Sequence, residues 1–332
     1  MSNQYEGRVS RLAMGMVALV AAGGLGCGGG PATEPADALE GAASPAADTD
    51  AVGSPPARIE AERGGFIPEG VEYDMTNRRF LTGSLSEGTV FEIGSDGSVM
   101  PFISDDELVS SVGIEVDELR DRLFVANADF GVFQGATSGQ AKLGVYDLNS
   151  RERLAMVDLA VVAEMGDDAA FFANDVAVAD DGTAFVTDTQ LNAIYRVGTD
   201  YTASLLVRFE DGPGPNGLVH HLSGFLLVGR GDTLWKVPID DPGAAAAVSL
   251  SEPVPGQDGL IWSVGRLAIV SNSSNQVAAL TSDDDWVTAN VVAVATYDEA
   301  ATTGAVVDDD VYVVHPVFQG EGVPSLERVV FQ

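Results

Sequence analysis

Six segments of this chain repeat one pattern: a small or polar residue, usually followed by glycine, then a short apolar run, a turn and a second apolar run. They read PEGVEYDMTNRRFLTGS, SVGIEVDELRDRLFVANA, ANDVAVADDGTAFVTDT, PNGLVHHLSGFLLVGR, QDGLIWSVGRLAIVSN and TTGAVVDDDVYVVHP, led by Glu69, Val112, Asn174, Asn216, Asp258 and Thr303. Between most of them lies a further pair of strand-like runs, such as LGVYDLNSRERLAMVDL. Four short strands in each repeat of about 42 residues is the signature of propeller blades. Apolar residues alternate or run in fours to sixes between Asp, Gly, Asn and Pro, and no stretch keeps a helical period. The expected fold is therefore all-β, a six-bladed β-propeller with four-stranded blades. The last repeat is short of strands, with only SLERVVF after VYVVHP. Residues 57–66 are expected to return to that blade and close the ring, so that no edge strand is exposed.

The segment ahead of the repeats has a different composition. Arg8 and Arg11 precede an uncharged apolar stretch, residues 12–25, that is short for a membrane span and ends at Gly26-Cys27. This resembles a bacterial lipoprotein signal, in which Cys27 becomes the lipidated first residue. Cys27 is the only cysteine in the sequence, so no internal disulfide can form. Residues 28–56 are Ala, Pro, Gly and acidic residues with little to bury, and read as a disordered tether. The expected organisation is a signal peptide over 1–26, a lipidated tether over 27–56 and the propeller over 57–332. The protein is expected to be exported and held in the bacterial envelope by lipid alone, and Gly28 after the cysteine points to the outer membrane. A closed ring has no edge that demands a partner, so a monomer is expected.

Charge narrows the partners. The formal net charge is −33, and Lys142 and Lys236 are the only lysines. Such a surface repels nucleic acid and anionic headgroups and concentrates cations.

Blade geometry places the chemistry. If the first strand of each blade is innermost, the six leading residues form a ring at one mouth of the central channel. Glu69 and Asp258 would repel one another there unless one is protonated or a cation intervenes. With Asn174 and Asn216 they make an all-oxygen set suited to Ca2+, and the ring offers no Cys or His for zinc. The core resembles the SMP-30/gluconolactonase/LRE-like family of calcium-dependent phosphotriesterase-like propellers. The resemblance is carried by PEGV at 68–71, FLTGSLSEGTV at 80–90, ANDVAV with FVTDT, PNG at 215–217 and QDG at 257–259. It implies one catalytic calcium on the channel axis, held by Glu69, Asn174, Asn216 and Asp258. It further implies that Asp258 attacks the substrate or activates water, and that His315 is an active-site histidine at the same mouth. Thr303 departs from the family, where some members place a histidine beside a second calcium.

The second repeat is about twenty residues longer than the others. Its insertions, 129–141 and 161–172, are expected at the mouth with Phe130, Phe133, Phe171 and Phe172, and with Phe318 opposite. An apolar entrance over a polar floor suits a neutral ester, lactone or phosphotriester. His220 and His221 fall in a turn on the far side, and Trp235, Trp262 and Trp286 read as packing between blades. The chain is expected to be a calcium-dependent hydrolase. The competing reading is a non-catalytic propeller that keeps calcium for rigidity and binds a protein or glycan on its rim.

Overall fold

The structure is a computed structural model that describes residues 53–166, 168–319 and 322–332. Six sheets follow one another along the chain, each built on four antiparallel strands, and those of blades 3 and 5 gain a short parallel fifth strand. Blade 1 starts with the strand Val71–Asp74, blade 2 with Ser110–Asp117, blade 3 with Phe171–Val178, blade 4 with Leu218–His221, blade 5 with Gln257–Ser263 and blade 6 with Gly304–Val307. Each of these opening strands sits at one edge of its blade's own four strands, beside the second. In blades 1 to 5 the remaining three strands follow in chain order.

Blade 6 closes the ring as the sequence requires. Its own strands end with Ser325–Arg328, and the fourth place is taken by Arg58–Glu60 from the start of the folded chain. Ile59 pairs with Leu326, Ala61 N–H donates to Pro324 O at 2.8 Å, and Arg328 N–H donates to Ala57 O at 2.7 Å. The described chain is already attached before this strand, since Tyr312 Oη–H donates to Pro55 O at 2.9 Å. The signal peptide, Cys27 and nearly all of the tether lie outside the described residues.

Apolar alternation explains the packing. A blade has a neighbour on each face, so its central strands are buried on both, as in Arg122–Ala128, where every residue is buried. The outer strand Arg153–Asp158 faces solvent and is mostly exposed or half-buried. One apolar layer fills each seam: Phe124, Leu143 and Val186 between blades 2 and 3, and Phe80, Tyr312 and Leu326 between blades 6 and 1. Trp286 is buried in the seam between blades 4 and 5 with Trp262 against it, and Trp235 lines the seam between blades 3 and 4, as expected.

Two features bear on the channel. The opening strands of blades 2, 3 and 5 carry a bulge at Val112-Gly113, Asn174-Asp175 and Asp258-Gly259, where three residues span what two span on the neighbouring strand. A bulge re-aims a side chain. The glycine after the leading residue also lets adjacent opening strands touch. Gly217 N–H donates to Asp258 O at 2.9 Å, and a Cβ there would stand 2.3 Å from that oxygen. Gly259 N–H donates to Thr302 O at 2.7 Å in the same way. The glycines are therefore required by the close approach of the strands.

Candidate metal centre

Two of the leading residues meet directly. Asn216 Nδ2 donates to Asp258 Oδ1 at 2.7 Å across the seam between blades 4 and 5. Burial, then Asp258 and Asp175, push the Glu69 carboxyl well above the usual range. Asp258 is pushed up to about 7 by burial and by Asp175, against the opposing hydrogen bond from Asn216. Asp258 is thus bonded to Asn216 and its charge is felt by Glu69. Thr303 stands beside Gly259, its Oγ1 only 2.2 Å from where a Cβ there would lie.

Asn174 is fixed by the second strand of its own blade. Its Nδ2 donates to Thr189 Oγ1 at 2.8 Å, and that hydroxyl donates onward to Pro215 O at 2.7 Å. Thr187 Oγ1 donates to Asn216 O at 2.7 Å and accepts from Asp175 N–H at 3.0 Å. The Thr-Asp-Thr run at 187–189 therefore fastens both asparagines, one in its own blade and one in the next. Asp188 anchors the run, accepting from Phe172 N–H at 2.8 Å, Leu191 N–H at 2.9 Å and Tyr195 Oη–H at 3.1 Å. With its nitrogen committed, Asn174 is left with a buried Oδ1 that has no hydrogen-bond partner. An unmet buried acceptor is costly, and a cation beside two carboxylates would satisfy it. The residues present fit an oxygen-coordinated calcium ion.

Three acidic residues that the ring pattern did not single out complete the lining. Asp175 stands where five repeats carry Gly70, Gly113, Gly217, Gly259 and Gly304. Its carboxylate accepts from Val176 N–H at 2.9 Å and Leu218 N–H at 3.0 Å, taking over the link between opening strands that the backbone makes elsewhere. Burial pushes Asp175 up to about 7. Glu72 and Glu115 occupy one repeat position in neighbouring blades, and the Glu72 charge acts on Glu115. Burial and Asp175 push Glu72 up to about 8, while burial and Glu72 drive Glu115 well above its ordinary range. The signal was legible in the repeats: Ala177, Val219, Ile261 and Val306 hold this position in the other four.

The apolar mouth forms in part as expected. Phe133 packs edge-on against Phe172 with ring centroids 4.8 Å apart, and Phe130 lies 5.5 Å from Phe133. Phe318 and Ile67 join Phe172 and Val112 in the same cluster. The first insertion is held down by Gly139–Gln140, a short strand parallel to the opening strand of blade 3. Phe171 does not belong to this mouth. Adjacent strand residues face opposite ways, so Phe172 shares the Asn174 side while Phe171 packs into the seam between blades 2 and 3.

His315 also departs from expectation. The second strand of blade 6 ends at the mouth, but Tyr312 and Val314 face blade 1, which turns Val313 and His315 towards blade 5. The imidazole is 1% exposed. Its Nδ1 lies 3.1 Å from Ala300 O, and its ring packs on Tyr297 at 5.0 Å. These contacts belong to the seam between blades 5 and 6. His220 and His221 lie at the end of the opening strand of blade 4, paired with Leu226 and Phe225, and not in the turn that the sequence suggested; His221 stacks on Phe225 at 4.3 Å and His220 on Phe185 at 6.3 Å.

No protein-family model and no curated protein matches the sequence. Solved structures do match over most of their length. The major allergen Mala s 1 of Malassezia sympodialis superposes with a TM-score of 0.70 at 19% identity, covering 83% of this chain and 97% of that one. A structure described as a putative gluconolactonase gives 0.58 at 18% identity, covering 84% and 96%. The calcium-binding protein regucalcin from Agrobacterium tumefaciens gives 0.59 at 14% identity, covering 83% and 94%. These likenesses establish a shared fold: the chain is a six-bladed propeller, and gluconolactonase- and regucalcin-type proteins are among its structural neighbours.

Proposed function

We propose that this protein is a calcium-dependent hydrolase of neutral lactones, esters or phosphotriesters, with Glu69, Asn174, Asn216 and Asp258 holding the ion. The observation that carries the reading is the contact of Asn216 with Asp258, whose charge reaches Glu69, together with the buried, unpartnered Oδ1 of Asn174 at the same repeat position. The resemblance of the repeat motifs to calcium-dependent propeller hydrolases supports it, as do a structure described as a putative gluconolactonase and a calcium-binding protein among the structural neighbours.

Bound calcium would supply a Lewis acid for a carbonyl or phosphoryl oxygen. The chain's residues supply the rest. Asn174, oriented through Thr189, and Asn216 contribute neutral oxygens. Glu69 and Asp258 contribute charge, and Asp258 is the group to attack the electrophile or take a proton from water. Phe130, Phe133 and Phe318, backed by the buried Phe172, present an apolar wall to a substrate without charge, which suits an entrance over an acidic channel. His315 is left out of the chemistry because its contacts are with the blade seam. The chain would act in the envelope, anchored through Cys27 by lipid; Cys27→Ser should then move it from the membrane fraction to the soluble one.

Hydrolysis of an aryl ester, a lactone and a phosphotriester, measured with calcium and with chelator, tests the activity. Calcium-dependent turnover that falls at least a hundredfold in Asp258→Asn supports it. Equal turnover with chelator, or in the variant, rejects it. A single turnover in 18O-labelled water separates the two routes for Asp258, because direct attack leaves the first product unlabelled.

A further inference from the structure

Away from the channel, a second group of metal-ligating side chains lies on the seam between blades 5 and 6. Glu299 follows the outer strand of blade 5, His315 ends the second strand of blade 6, and Glu327 lies on the third. One carboxylate oxygen from each glutamate and one imidazole nitrogen all stand within 4.8 Å of one another. Acidic clusters are common, but this one surrounds a buried nitrogen with nothing to bond. Ala300 O can only accept, so Nδ1 of His315, 3.1 Å away, carries the proton. That leaves Nε2 as a bare lone pair, buried and without a hydrogen-bond partner. It stands 3.7 Å from Glu327 Oε2, too far for a hydrogen bond. Two ligands each about 2.1 Å from a tetrahedral ion stand about 3.4 Å apart, close to the spacing found here.

The glutamates are also already arranged around a positive charge. Arg58, on the strand that closes the ring, bonds to both Glu327 and Glu299, the latter at 2.8 Å. A guanidinium thus stands between the two carboxylates.

We propose that Glu299, His315 and Glu327 form a separate site for a borderline divalent transition ion of the Zn2+ type, which displaces Arg58 when it binds. An imidazole with its far nitrogen bonded to a main-chain carbonyl, plus two carboxylates, is a zinc-like donor set with room for water as a fourth ligand. Calcium favours oxygen ligands alone, so the two sites select different ions. The ion would join the end of blade 5 to two strands of blade 6, beside the point where the ring closes.

The test is a Zn2+ titration of the full chain by calorimetry with calcium in excess, followed by Co2+ absorption spectra. One equivalent should bind, and Co2+ should show the intense visible bands of a low-coordinate site. Glu299→Gln changes an exposed side chain and should weaken Zn2+ about tenfold or more. Arg58→Gln removes the competing cation and should tighten it. The proposal is overturned if no Zn2+ binds, or if Glu299→Gln and His315→Gln bind it unchanged, which would place the ion at His220 and His221 or elsewhere. It is also overturned if Arg58→Gln weakens binding.

Discussion

Asn174 and Thr189 show how a single hydroxyl can decide what a neighbouring amide offers. By accepting from Asn174 Nδ2, Thr189 leaves the amide oxygen facing inward without a partner. Threonine to valine keeps the shape and removes that acceptor. Thr189→Val should therefore weaken calcium binding about tenfold or more while the protein stays folded. Calcium titration monitored beside the circular dichroism spectrum checks this; unchanged affinity would show that Thr189 does not position the amide. Phe133 makes a different kind of contribution. It is 38% exposed, so Phe133→Ala should cost little stability and should raise KM for an aryl ester with kcat nearly kept, as expected for lost ground-state binding. Steady-state kinetics on that variant separate a substrate wall from simple packing of the loop.

At the scale of the element, the closing strand is the one whose role depends on residues far away in sequence. Ile59 is 3% exposed and packs with Tyr73, Tyr312 and Leu326 across the join. Ile59→Ala should cost about 2–5 kcal/mol, the range for a large aliphatic side chain removed from a core, and thermal or denaturant unfolding measures it. The same scale explains what the sequence revealed and what it hid. Blade number, the returning strand and the contact between Asn216 and Asp258 were legible because each blade repeats one register, and register sets which side chains meet. Asp175, Glu72 and Glu115 obey that register too, one and three residues after the leading position. Phe171 and His315 were misplaced. Their distance along the strand was right, but the face each presents depends on how the blade is stacked between its neighbours. Val314 had to be seen against blade 1 before His315 could be turned to blade 5.

At the scale of the molecule, the channel gathers carboxylates inside a protein whose formal net charge is already −33. Asp175 and Asp258 are raised to about 7 and Glu72 to about 8 from ordinary values near 4. Groups raised on folding give stability that is full below their unfolded values and is lost as pH climbs through the folded ones. Chelated protein should therefore lose thermal stability between pH 6.5 and 8.5. Below that window His220, His221 and His315, lowered by burial, work in the opposite sense by opposing folding as they become protonated. Calcium takes the place of the protons and should flatten the slope. A stability that rises with pH across the window in chelator would contradict this electrostatic picture.

The central claim is that the four ring residues hold calcium, and the most direct measurement is the melting temperature with excess calcium and then with chelator, in the wild type and in Asp258→Ala. A site filled at a hundred times its dissociation constant adds about 2.7 kcal/mol of stability. A clear calcium-specific upward shift is expected in the wild type and should be lost in the variant. Equal melting temperatures with and without calcium, in protein shown by elemental analysis to be metal-free after chelation, would contradict it.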